Sequence, residues 1–172
     1  KRKIKKLEQI SRYFTFEKSD KWETAVEFAV NTDKRKGRNP GPFNGKNILK
    51  IVKSLGNRLN LYTIRDMNTN NHYGFRAVLR DYNKRALDFL AGMVPHPEFD
   101  HLNRYMMARI LETKANEGFK TYDFNGCYEE NVARFKEKFN GTLAPFFSIH
   151  YSRPFFLRMV YEWNKVKQNI SW

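Results

Sequence analysis

The chain has 172 residues, 41% hydrophobic and 16% aromatic, so it is long enough for one domain with a real core and too apolar for global disorder. Its 32 Lys and Arg against 18 Asp and Glu leave a net +14, which favours an anionic partner such as RNA, anionic lipid or a phosphorylated substrate; the plainer alternative is a basic surface that keeps the protein soluble. A single cysteine, Cys127, excludes an internal disulfide, and His72, His96, His101 and His150 lack metal-ligand spacing, so no metal is expected.

In chain order, residues 1–12 form a basic helical lead-in, "KRKIKKLEQISR". "YFTFE" alternates as a strand with Phe14 and Phe16 on one face. Ser19 or Asp20 is placed to cap the helix "KWETAVEFAVNT", whose Trp22, Val26 and Ala29 or Val30 fall at helical spacing. In "DKRKGRNPGPFNG", glycine and proline forbid a continuous helix, and Lys34, Arg35, Lys36 and Arg38 make four cations in five positions. "KNILKIVKSLG" is a second amphipathic helix, with Ile48, Ile51, Val52 and Leu55 inward and Gly56 ending it.

Three strands follow, "NLYTIRD", "YGFRAVLRD" and "RALDFLAGM", joined by short turns and therefore antiparallel; the third reads simply as core. Asp100 is placed to cap a long helix from about His101 to Glu117, which Gly118 stops. The chain then alternates strand "KTYDFNG", helix "EENVARFKEKF", strand "TLAPFFSIHYS" and helix "PFFLRMVYEWNKVK", the last opened by Pro154. No apolar run approaches the ~20 residues that cross a bilayer, and the basic start has no apolar signal-peptide core. The expectation is a cytoplasmic protein, able to make transient contact with the inner membrane surface.

This order of elements resembles that of the GNAT-like N-acyltransferases, an α/β fold with a mixed, mostly antiparallel sheet flanked by helices. The expectation is a single GNAT-like domain over 13–172. More specifically, Gly118, Tyr122, Asp123, Phe124 and Gly126, followed by Arg134, Phe135, Lys136, Phe139 and Gly141, resemble the motifs of the Fem-type peptidyltransferases. These enzymes add amino acids from aminoacyl-tRNA to peptidoglycan precursors. Two positions depart from the pattern: Asn140 stands where Gly is usual, and Asn125 where Gly or Trp is common. Members of that family carry two GNAT-like domains, so the resemblance makes this chain, which begins with Lys, the expected C-terminal half of a longer protein.

The resemblance implies amide formation on an amine acceptor, with an aminoacyl-tRNA donor and a phosphorylated cell-wall precursor as anionic partners. Such transfer needs positioning and oxyanion stabilisation but no covalent nucleophile, so Cys127 reads as a small half-buried residue. Alternation in "TYDFNG" puts Asp123 opposite Tyr122 and Phe124. There Asp123 either orients or deprotonates an amine, or caps a turn. Lys136, between Phe135 and Phe139, is the expected contact for a phosphate or carboxylate, with the phenylalanines anchoring its helix. Lys34, Arg35, Lys36 and Arg38, with Tyr122, Asn125, Gly126 and Arg134, complete the expected substrate-binding set.

Acetyl-CoA enzymes of this fold hold pyrophosphate on a glycine-rich turn before the long helix. Here that stretch is "VPHPEFDHLN", with no glycine, two prolines and two carboxylates, Glu98 and Asp100. No cofactor is therefore expected. Two alternatives stay open: an acyl-CoA-dependent N-acetyltransferase with an atypical pyrophosphate loop, and a non-catalytic RNA- or partner-binding domain built on the same fold.

Overall fold

The computed structural model describes residues 8–38, 44–99, 101–126 and 130–144. The chain divides into two compact units, Lys1–Tyr128 and Glu129–Trp172, each described by itself. In the first unit β1 (Phe14–Ser19), α1 (Trp22–Arg35), α2 (Gly45–Leu55), β2 (Leu59–Asp66), β3 (His72–Arg80), β4 (Arg85–Met93), α3 (Leu102–Asn116) and β5 (Thr121–Asp123) follow one another. The strands form one sheet in the order β1-β2-β3-β4-β5. The first three pairings are antiparallel and β4 pairs β5 in parallel, with α3 as the crossover that parallel neighbours require. This is the expected mixed, mostly antiparallel α/β architecture.

Period-two alternation gives the sheet two apolar faces. On one, Phe14, Tyr62, Ile64, Val78 and Ala86 meet Leu102, Tyr105, Met106 and Ile110 of α3. On the other, Leu61, Phe75 and Ala77 meet Ala25 of α1, while Val26 packs with Ile48 and Val52 of α2 and with Leu59. A Cβ on Gly92 would lie 2.4 Å from the backbone carbon of Phe28 and 2.5 Å from the nitrogen of Ala29. Glycine is what lets α1 sit this close to β4.

Several local readings change. Neither Ser19 nor Asp20 caps α1; the helix begins one residue later, with Lys21 at the cap position and no side-chain cap bond. The Ser19 hydroxyl instead accepts from the Lys21 N–H, at 3.2 Å. The helix also runs past Thr32 to take in Lys34 and Arg35, because both are good helix formers and cations suit the negative end of a helix dipole. The cap position of α3 is His101, without a side-chain cap bond; Asp100 is outside the described residues.

β5 is shorter than "KTYDFNG". The Asp123 carboxylate accepts the Asn125 N–H at 2.8 Å, and Asn125 adopts a φ of 56° that turns the chain out of the sheet. β4 is not simply core: Ala86 and Gly92 are buried, Arg85 and Ala91 are exposed, and Asp88 carries an ion pair.

In the second unit, α4 (Glu130–Glu137) has no buried residue among those described. Phe135 and Phe139 are half-buried and meet ring to ring at 5.4 Å, so the anchoring seen there is mutual. Residues 142–144, the start of the expected strand, are exposed and carry no regular structure. The rest of that strand, the terminal helix and Cys127 lie outside the described residues.

Candidate active site

The sheet opens at β4. Its ladder with β5 spans Arg85–Thr121, Ala86–Tyr122 and Leu87–Asp123 and stops there, although β4 continues to Met93. The next link across the gap is a side chain: the Asn125 amide donates to the Asp88 carbonyl at 3.3 Å. On its other edge β4 pairs Leu90 with Ala77 and Asp88 with Val78, so Phe89 is an extra residue where the register shifts. Such a bulge bends its strand and re-aims backbone groups. Between Phe89 and Gly92, β4 has no strand neighbour on the β5 side among the described residues. A one-sided strand edge of this kind offers fixed N–H donors where negative charge develops on a carbonyl oxygen.

The far end of the opening is held by α1. The Thr32 hydroxyl donates to the Met93 carbonyl at 3.2 Å and accepts the Met93 N–H at 3.1 Å, and Arg35 donates to the same carbonyl at 2.9 Å. Of the four expected cations, Arg35 is therefore brought to the end of β4. Arg38 pairs with Asp33 at 3.3 Å, and Lys34 and Lys36 are exposed. Thr32 escaped the sequence reading, since a threonine near a helix end is ordinary and only β4 supplies its partner.

Beneath the opening, on the α3 side, lies a buried polar cluster. Arg76, 5% exposed, pairs with Asp88 and donates to the Asn103 side-chain oxygen at 2.9 Å. The Tyr122 hydroxyl is buried beside them with no hydrogen-bond partner among the described residues. Burial, with the Asp88 charge adding to it, pushes that phenol well above its usual range, so it stays a neutral donor. Tyr122 belongs to the expected substrate-binding set; Arg76 and Asp88 do not, because alternating polar residues on a strand look solvent-facing, nor does Asn103, an ordinary polar residue in the first turn of α3. Asp123 is exposed on the opposite face, its carboxylate taken up by the Asn125 turn, and the Gly126 N–H is bonded to the Asn125 side-chain oxygen at 3.0 Å.

The stretch between β4 and α3 is built around His96. Its Nδ1 accepts the N–H groups of both Glu98 (3.1 Å) and Phe99 (3.3 Å). The imidazole is held edge-on and tilted among Phe14, Tyr73 and Phe99, at 5.4, 4.7 and 5.1 Å. Two backbone donors of this loop are thus already committed. In the second unit, Arg134 pairs with Glu130 one helical turn away and Lys136 is half-buried on α4.

No family model matches the sequence, and no curated protein does. Solved structures do match by fold. A possible acetyltransferase from Clostridium difficile 630 superposes with a TM-score of 0.60 at 10% identity, covering 81% of this chain and 97% of that one. An aminoglycoside N-acetyltransferase in complex with CoA gives 0.55 at 14% identity, over 82% and 95% of the two chains. A GNAT family acetyltransferase from Staphylococcus aureus gives 0.51 at 12% identity, over 81% and 98%. The chain has the GNAT-like acyltransferase fold.

Proposed function

We propose that this chain catalyses acyl transfer to an amine, and that its donor is an aminoacyl-tRNA and its acceptor a phosphorylated cell-wall precursor. The fold and the opened β4 edge support transfer in general. The observation that carries the donor choice is His96: the loop where a CoA pyrophosphate would need backbone donors spends two of them on an imidazole and contains no glycine. A donor held mainly by basic surface, as a tRNA is, does not need that loop.

Reaction at the site forms one amide bond between the amine nitrogen and the donor carbonyl carbon, and breaks the carbonyl–oxygen ester bond to the tRNA ribose. The amine proton leaves with the reaction, and the ribose oxygen takes one. β4 backbone donors stabilise the tetrahedral oxyanion, Arg35 and the exposed Lys34 and Lys36 hold acceptor phosphate, and Tyr122 supplies a neutral hydroxyl. Asp123 takes the turn-capping role that its bond to the Asn125 N–H gives it. In the second unit, taken by itself, Lys136 and Arg134 on α4 are the contacts for an anionic group.

A second reading, acyl-CoA-dependent N-acetyl transfer, is favoured by the likeness to an aminoglycoside N-acetyltransferase that binds CoA. Calorimetric titration with acetyl-CoA separates the two. The proposal predicts no binding at physiological concentration; a micromolar dissociation constant would establish the second reading in its place.

A further inference from the structure

A second polar cluster lies away from the β4 opening, on the α1 face of the sheet where α1 begins and leaves β1 and β2 uncovered. A cleft of about 400 Å³ is lined there by Glu17, Lys18, Ser19, Asp20, Lys21, Arg65, Asn70 and His72. Behind the lining residue His72, Thr63, 1% exposed, donates its single hydroxyl proton to the Gly74 carbonyl at 3.0 Å. Its contact with His72 Nδ1, at 2.9 Å, must then run the other way, with the imidazole donating. That fixes the proton on Nδ1 and turns the Nε2 lone pair toward the Lys21 ammonium, 3.1 Å away.

The other charges are mostly satisfied from within. Arg65 holds Glu17 through two bonds, at 3.2 and 3.4 Å, and also binds Asn70; Lys18 pairs with Glu117 at 3.2 Å. Asp20 is exposed at the rim. Lys21 has one of its three protons engaged by the imidazole, and the Ser19 hydroxyl, which accepts from the Lys21 N–H, still has its own proton to give.

We propose that this cleft is an anion site for a divalent tetrahedral oxyanion, a phosphoryl or sulfate group, held by Lys21 Nζ, Ser19 Oγ and His72 Nε2. Without the anion, His72 resists protonation: burial disfavours its charge, and Lys21 and then Arg65 repel it, against a weaker pull from Glu17. A dianion seated against Lys21 reverses that balance, so its binding takes up a proton at His72 and strengthens as pH falls. The site is independent of the transfer reaction and of its donor.

Sulfate is the probe, because its charge is constant between pH 6 and 8. The measurement is calorimetric titration of the whole chain at both pH values, with sodium chloride holding ionic strength. Affinity should rise roughly fivefold or more from pH 8 to pH 6, phosphate should compete, and chloride alone should give no site. Lys21→Gln, at an exposed position, should remove binding at both pH values. His72→Gln should bind equally at both, with melting curves checking that each variant is folded. Wild-type sulfate heats no larger than those of chloride, unchanged binding by Lys21→Gln, or pH-independent wild-type affinity would each overturn the proposal.

Discussion

At the scale of single residues, one position in each unit is open to a direct test. The Tyr122 hydroxyl is buried without a partner among the described residues, and an unsatisfied buried donor costs stability. Tyr122→Phe should therefore raise stability by about 1 kcal/mol in denaturant melts while lowering the rate of transfer. A hydroxyl kept for packing alone would change neither rate nor substrate affinity. Lys136→Ala should leave stability within about 0.5 kcal/mol and weaken substrate binding or transfer roughly tenfold, the ~1.4 kcal/mol of one charge-assisted contact. Wild-type activity and binding in that variant would reduce the α4 motif to ordinary punctuation between elements.

At the scale of elements, much of the sheet was legible. Alternation placed Phe14 and Phe16 on one face, short turns forced the antiparallel meander, and the 15-residue helix between β4 and β5 is the crossover that their parallel pairing requires. What sequence could not supply were features made by contact. His96 captures Glu98 and Phe99 only because Phe14 and Tyr73 hold the ring, and Arg76 finds Asp88 across a bulge that no local pattern announces. Gly92 is another: glycine in a strand signals a close approach, but not by which helix. Gly92→Ala should cost about 2 kcal/mol, since the new methyl meets α1 backbone rather than a side chain that can swing away. Chemical denaturation measures it, and an unchanged midpoint would mean that α1 does not pack against β4 this closely.

At the scale of the whole molecule, α3 is tied to the sheet by a buried ammonium that reaches Asn60 of β2. Lys114, 1% exposed, donates to Glu117 and to Asn60, each at 2.7 Å, and its ammonium lies 5.4 and 5.0 Å from the ring centres of Tyr62 and Phe119. Lys114→Ala should cost about 3 kcal/mol and Lys114→Met less, because methionine refills the space without a charge. Burial works to raise the Glu117 carboxyl, but its bonds to Lys114 and Lys18 prevail and hold it below its ordinary 4.5. Backbone donors similarly hold Asp66 and Asp81 below 3.8. Carboxyls lowered by folding contribute stability that is complete above their unfolded values and disappears as pH falls through the folded ones. Melting temperature should therefore fall on acidification below about pH 4.5, and Glu117→Gln should flatten that decline.

The donor remains the central claim, and one paired assay addresses it. Purified chain is supplied in parallel with tRNA carrying a labelled amino acid and with labelled acetyl-CoA, each together with a phosphorylated cell-wall precursor, and label in the amide product is counted. The account predicts label from the tRNA and none from acetyl-CoA; acetyl label in the product, with none from the tRNA, would contradict it.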